Sequence, residues 1–228
     1  MPIPHSWTLT PAEARELQKS MASEVDATSP LPDWDTIAAA DVSYGRFDKE
    51  LAAAVVVIRR EGLEVVERVG VMRRITFPYV PGLLTFREAP GLLDAFDRIK
   101  TRFDVVLCDG QGIAHPRGMG IASHLGLWLD KPTIGCAKSR LFGTHEEPGP
   151  RRGDRTPLMD KDRVIGSVVR TKDRVKPLYV SVGHKCDLES AIAVVLATSG
   201  KYRLPQPARL AHEFVNEVRR DAKSERSE

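Results

Sequence analysis

Residues Leu51–Ile58 read Leu-Ala-Ala-Ala-Val-Val-Val-Ile, with Glu50 before them and Arg59 and Arg60 after. The run is far shorter than the roughly 20 residues of a bilayer span. It has no polar alternation, so neither of its faces suits water. Such a segment is a strand buried on both faces. Its cover must come from layers on either side of a sheet, which points to an α/β architecture. The chain has 228 residues, 42% of them hydrophobic and 29% charged, enough apolar material to build that core as one domain spanning residues 1–228. No uncharged run exceeds 12 residues (Ile75–Phe86 is one), so an integral membrane protein is excluded.

The neighbouring segments fill in the layers. Thr10-Pro11-Ala12-Glu13 is a capping box with proline at the first helical position and predicts a helix to about Val25. Ala27–Pro32 is a loop, so residues 1–30 form an N-terminal helix and loop. Ile37–Ser43 and Leu63–Val71 flank the central run through links short enough for two antiparallel hairpins. Phe77–Gly82 is a stiff, proline-rich loop that cannot be a central strand. Phe86–Lys100 reads as a helix with Glu88 near its start. Phe103–Cys108, Gly118–Leu129 and Pro132–Ala137 read strand, helix, strand, which implies a parallel crossover. Leu141–Asp162 reads as a polar loop. Val164–Arg170 and Leu178–Val182 read as strands, and Asp187–Thr198 and Pro207–Arg220 as helices. The charged tail, Asp221–Glu228, is expected to fray. The sum is a mixed β-sheet flanked by helices.

Acidic residues at element ends are the strongest chemical signal. Asp41 interrupts an apolar strand, where a lone carboxylate costs several kcal/mol, roughly, unless paired or metal-bound. Asp109 ends a buried strand and meets Gly110-Gln111-Gly112, and ligands bind at the carboxyl ends of parallel strands. Together with Glu88, these carboxylates suit a hard divalent cation such as Mg²⁺. The alternatives are a capped turn or arginine pair for Asp41, a helix-dipole effect for Glu88 and a plain turn at Asp109. Lys138 follows the strand that ends in Ala137; it either reaches a phosphate as a point charge or faces solvent. His212, on a helix, is either a surface residue or part of a metal shell. His115 is either a loop histidine or a phosphate contact. Tyr79, held between Pro78 and Val80-Pro81, is either a plug on the core or a wedge for a base stack. Lys138–Lys176 holds eleven Lys and Arg against six Asp and Glu, which suits a phosphate-facing surface or a solvated loop. The chain contains no GxxxxGK[ST], GxSxG or HExxH motif.

Three scattered cysteines, Cys108, Cys136 and Cys186, make neither a disulfide framework nor a CxxC metal pair. The opening MPIPHSWTLT has no basic region followed by an apolar stretch, so no secretory signal is visible. Both features favour a cytoplasmic protein.

Several motifs in order carry a resemblance: Asp41-Val42-Ser43-Tyr44, Pro78-Tyr79-Val80-Pro81, Phe86-Arg87-Glu88, Asp109-Gly110-Gln111-Gly112 with Ala114-His115-Pro116-Arg117, Gly135-Cys136-Ala137-Lys138-Ser139, Lys176-Pro177 with Val180-Ser181-Val182-Gly183-His184, and Arg209-Leu210-Ala211-His212. From about Ile37 to Asn216 the sequence resembles the endonuclease V family of deoxyinosine-specific repair nucleases. The resemblance implies an RNase H-like fold. It also implies metal-dependent cleavage of DNA at the second phosphodiester bond 3′ to deoxyinosine, initiating repair of deaminated adenine. On that likeness Asp41, Glu88 and Asp109 carry Mg²⁺, with Mn²⁺ as a substitute. His212 lies near the metal and Lys138 beside the scissile phosphate. Pro78, Tyr79, Val80 and Pro81 form a strand-separating wedge, with valine at position 80 where isoleucine is usual. Gly110, Gln111 and Gly112 floor the pocket for the flipped base, and His115 belongs to the lesion-binding set. Inosine-containing RNA is the alternative substrate, and a non-catalytic inosine or branched-DNA binding protein the alternative class. A monomer without an obligatory protein partner is expected.

Overall fold

The computed structural model describes residues 5–225. Eight strands form one sheet: β1 (Thr36–Ser43), β2 (Glu50–Arg59), β3 (Val65–Arg74), β4 (Val105–Cys108), β5 (Thr133–Ala137), β6 (Arg155–Asp160), β7 (Arg163–Val169) and β8 (Leu178–His184). Their spatial order is β3-β2-β1-β4-β5-β8-β7-β6. The first three strands make the two expected antiparallel hairpins. The adjacent strands β1, β4 and β5 are parallel, which is the expected crossover. Five helices accompany the sheet: α1 (Pro11–Met21), α2 (Leu84–Phe96), α3 (Ile121–Leu129), α4 (Leu188–Ala197) and α5 (Gln206–Ser224).

The apolar run behaves as its composition demands, since every residue from Leu51 to Ile58 is at most 1% exposed. Its side chains alternate between two cores. Val55 and Val57 join Ala38 and Ala40 beneath α2 and α3, through Leu92, Ile121 and Leu125. Val56 and Ile58 join Ile37 and Ala39 beneath α4 and α5, through Ala191, Val195 and Ala211. Two helical layers thus sandwich the sheet, the mixed layout expected of an RNase H-like fold.

Some boundaries differ from the sequence reading. The first helix ends at Met21 and a single 3-10 turn, Ala22–Glu24, follows; both halves of the Thr10–Glu13 capping box form. Helix α2 begins at Leu84 and ends at Phe96, so Glu88 lies in its second turn rather than at its start. Helix α3 begins only at Ile121, because Gly118 has a left-handed backbone (φ +65°) and Gly120 packs onto the Gln111 backbone. The region read as a polar loop contains an edge strand, β6, paired with β7. Its Pro157 is tolerable because an edge strand leaves one row of hydrogen-bonding groups unpaired. Helix α5 continues to Ser224, so residues 221–224 are helical rather than frayed. Residues 226–228 of the expected tail lie outside the described residues.

Candidate active site

Sheet register builds the centre of the site. Ala40 of β1 lies opposite Cys108 of β4 in a parallel pair, and the Asp109 amide donates to the Ala40 carbonyl at 3.2 Å. The next residues along, Asp41 and Asp109, therefore emerge side by side at the carboxyl ends of adjacent parallel strands. Helix α5, packed across β1, brings His212 Nδ1 to 2.8 Å from Asp41 Oδ2. One ligand-capable atom from each of Asp41, Asp109 and His212 lies within 4.8 Å of the others, the one such group among the described residues. Lys138, at the end of the neighbouring parallel strand β5, forms an ion pair with Asp109.

Glu88 is not part of that group. It lines the same cleft of about 430 Å³, but its Oε1 accepts the Tyr44 hydroxyl at 2.7 Å. Burial, with the charges of Asp41 and Asp109 behind it, pushes its carboxyl up to about 7 against the pull of the Tyr44 hydrogen bond. Asp41 is also held above the ordinary carboxylate range, first by burial and then by Asp109, with the His212 bond opposing. A cleft in which Asp109 holds Asp41 up and both hold Glu88 up, and which offers oxygen and imidazole donors within a few ångströms, fits a hard divalent cation. Among these, Asp41, Asp109 and His212 are the residues gathered closely enough to hold one.

The proline-rich loop is nailed at both ends. Phe77 is buried against Phe86, and its carbonyl accepts Arg87 Nη1 at 2.8 Å. At the other end the Gly82 carbonyl accepts three side chains: Arg117 Nη2 at 2.6 Å, His115 Nε2 at 2.9 Å and Gln18 Nε2 at 3.2 Å. Between these anchors Tyr79 is 63% exposed over the cleft, with Pro78 and Pro81 exposed on either side and Val80 half-buried. His115 lines the same cleft and braces the Gly82 carbonyl from within it. It is 4% exposed, both ring nitrogens are engaged, and burial followed by the Arg117 charge pushes it down to about 4, so the ring is neutral.

Gly110 and Gln111 line the cleft, whereas Gly112 does not. Gly112 is wedged against β8, where a Cβ would overlap the Val182 carbonyl. Gln111 is 6% exposed; its Nε2 donates to the Ser139 carbonyl at 3.1 Å, and its Oε1 is buried with no hydrogen-bond partner.

Two supporting residues escaped the sequence reading. Gln18 is fully buried and joins α1 to the Gly82 anchor of the proline-rich loop, donating to Gly82 and Met119 and accepting from Arg117. Its signal was a polar residue on the buried stripe Ala14–Gln18–Met21. Asn216 lies one turn beyond His212, 3.2 Å from its Nε2, and accepts the Ser43 hydroxyl at 2.8 Å. Its i,i+4 spacing from His212 was the available clue.

Paired aspartates at adjacent parallel strand ends, a lysine beside them and an open cleft define a hydrolase of phosphate esters of the nuclease type. The sequence model of endonuclease V matches residues 16–213. The endonuclease V of Gloeobacter violaceus is 48% identical over 219 residues, covering 95% of this chain and 89% of that protein. The solved endonuclease V of Streptomyces avermitilis has a TM-score of 0.91 at 39% identity, covering 97% of this chain and 98% of that one. Ciona intestinalis endonuclease V, solved with a 24mer DNA containing an inosine followed by a ribo-adenosine, has a TM-score of 0.79 at 25% identity, covering 92% of this chain and 98% of that one. The chain belongs to the endonuclease V family.

Proposed function

We propose that this chain cuts DNA at the second phosphodiester bond 3′ to deoxyinosine. The observation that carries the reading is the Asp41–Asp109 pair in a cleft shared with Lys138 and overhung by Tyr79. Asp41, Asp109 and His212 would hold a divalent cation, with Glu88 on the same cleft wall. Mg²⁺ is the expected ion and Mn²⁺ a substitute; when bound, it lowers the pKa of an attacking water and stabilises the leaving 3′ oxygen. Lys138 holds positive charge where negative charge builds on the phosphate, and its pairing with Asp109 keeps it there. His212 fixes Asp41 through the 2.8 Å contact, and Asn216 fixes His212.

Recognition requires the base to leave the stack. A wedge must not yield, and the doubly anchored loop supplies that stiffness. Gln111 offers a buried, unpaired acceptor in the cleft wall, and its amide is oriented by the Ser139 carbonyl. Hypoxanthine carries a proton on N1 where adenine has a lone pair, so such an acceptor favours the deaminated base. The relative crystallised with inosine-containing DNA supports the same substrate class. All three cysteines are free and buried, which suits a reducing compartment such as the cytoplasm. No helix among the described residues is long and apolar enough to cross a membrane.

The direct test is a labelled duplex with one deoxyinosine, run beside inosine RNA of the same sequence, with Mg²⁺ or with EDTA. A Mg²⁺-dependent nick one nucleotide beyond the lesion in DNA supports the reading. Cleavage of RNA alone moves the substrate to RNA, and no cleavage of either by folded protein points to a binding protein. Tyr79→Ala should weaken affinity for deoxyinosine DNA by about tenfold. It should leave the unfolding midpoint unchanged, because the ring is 63% exposed. Fluorescence anisotropy with lesion and unmodified duplexes reads this, and an unaltered preference for the lesion excludes the wedge role.

A further inference from the structure

The segment between α4 and α5 carries Tyr202, which is 51% exposed. Two cations lie over its ring, Arg209 Cζ 4.8 Å and Lys201 Nζ 5.9 Å from the centroid. The loop beneath is rigidly held. Arg203 donates to the carbonyls of Lys138 at 2.7 Å and of Lys176 and Pro177 at 2.8 Å, and the Thr171 hydroxyl donates to the Arg203 carbonyl at 2.5 Å. The loop is therefore bolted to the backbone of the same Lys138 whose ammonium pairs with Asp109. Arg209 stands three residues before His212 on α5, pairs with Glu213 at 2.5 Å, and leaves its Nε buried without a partner. Nothing in the proposed chemistry uses this patch.

Its position relative to the two helical layers gives it a meaning. The Tyr79 loop leads into α2, on one face of the sheet, whereas Tyr202 and Arg209 lead into and lie on α5, on the other. The acid pair stands at the rim between them. If the lesion enters from the α2 side and the cut falls 3′ of it, the strand beyond the scissile phosphate runs toward α5. An exposed aromatic ring with neighbouring cations suits a nucleic-acid strand, because every base has a π-face and every nucleotide a phosphate. We propose that Tyr202, with Lys201 and Arg209, forms a stacking platform for the strand on the 3′ side of the cut. This rests on the reading of the site given above. The platform gives the enzyme a second grip, opposite the wedge, that holds the scissile phosphate between two fixed points.

The test compares wild type, Tyr202→Ala and Tyr202→Phe on deoxyinosine substrates with a full 3′ flank or a flank truncated just past the cut. A third substrate is truncated on the 5′ side instead. On the full substrate Tyr202→Ala should raise KM by about 5- to 100-fold with kcat held, the range of one lost base stack. Tyr202→Phe should restore wild-type KM, and truncating the 3′ flank should erase the difference between wild type and Tyr202→Ala. Equal KM for wild type and Tyr202→Ala on the full substrate overturns the platform. So does a penalty that persists after 3′ truncation, which marks a merely structural ring, or one erased only by 5′ truncation. A wild type that fails to cut any of the substrates overturns the reading of the site, and the platform with it.

Discussion

Asp41→Asn should abolish cleavage of deoxyinosine DNA without loss of fold. Removing one strong electrostatic element from a preorganised site costs about 10²- to 10³-fold in rate, and loss of a metal-holding charge belongs at or above the upper end. Stability should move the other way. Burial and the neighbouring Asp109 hold the Asp41 carboxyl above its ordinary range. The folded chain then binds more proton at this group than the unfolded chain does, so stability is lost as pH rises from the ordinary carboxylate range through the raised folded value, and above that the cost of ionisation is constant. Asparagine keeps an acceptor for the Val42 amide, which Asp41 now receives at 2.8 Å, and removes the charge. The thermal midpoint at neutral pH should be retained or raised while nicking disappears. Nicking assays in Mg²⁺ beside thermal unfolding of the same preparation decide this, and a near-wild-type rate would remove Asp41 from the metal site. The opposition of activity and stability at one residue marks a site whose geometry was selected for charge rather than for packing.

Gly112→Ala should damage the fold itself. A Cβ at this position would sit 2.5 Å from the Val182 carbonyl carbon and 2.9 Å from the Gly183 amide nitrogen. These are backbone atoms of β8, a strand held between β5 and β7, so no flexible side chain end can swing aside. The Gly112 backbone is itself tied, its amide to Ser181 Oγ at 2.9 Å and its carbonyl to the Gly120 amide at 3.0 Å. Overpacking where side chains relax costs about 1–3 kcal/mol. Displacing a central strand should cost about 3–5 kcal/mol, the exceptional end of single substitutions. At roughly 2–4 °C per kcal/mol for a chain of this size, the midpoint should fall by about 10 °C. Gly200→Ala is the control, since a Cβ there meets nothing within 4 Å. Calorimetry of both variants checks the contrast, and equal midpoints would show that β8 yields. The effect reaches function as well, because Gly110 and Gln111 of the same loop line the cleft.

These two residues also mark where sequence reading succeeds and where it stops. Asp41 was legible because a charge inside an apolar strand has few physical explanations. Gly112 was legible as a loop glycine, but its contact with β8, 69 residues away at Ser181, follows from strand order alone. The same divide runs through the other elements. Local patterns gave the hairpins, the crossover, the capping box and the stiff proline-rich loop, since each depends on neighbours within a few residues. The edge strand β6 was lost because an edge has one polar row and tolerates proline, so its pattern resembles a loop. Helix α2 began two residues earlier than its pattern suggested, which moved Glu88 off the helix start.

By itself, then, the sequence determined the layered α/β architecture, since an unbroken apolar strand has to be covered on both faces. It also determined which residue types were available for chemistry, and its ordered motifs pointed to one family. The tertiary structure decided which of those residues meet. Register between β1 and β4 set Asp41 beside Asp109, the packing of α5 added His212, and Tyr44 drew Glu88 into a hydrogen bond outside that group. Gln18 from α1 and His115 from the loop after β4 converged on one carbonyl to brace the proline-rich loop. The physical reason is that convergence across separations from 33 residues (His115 and Gly82) to 171 (Asp41 and His212) is fixed by strand order and helix placement, which satisfy the burial of the whole core rather than any local preference.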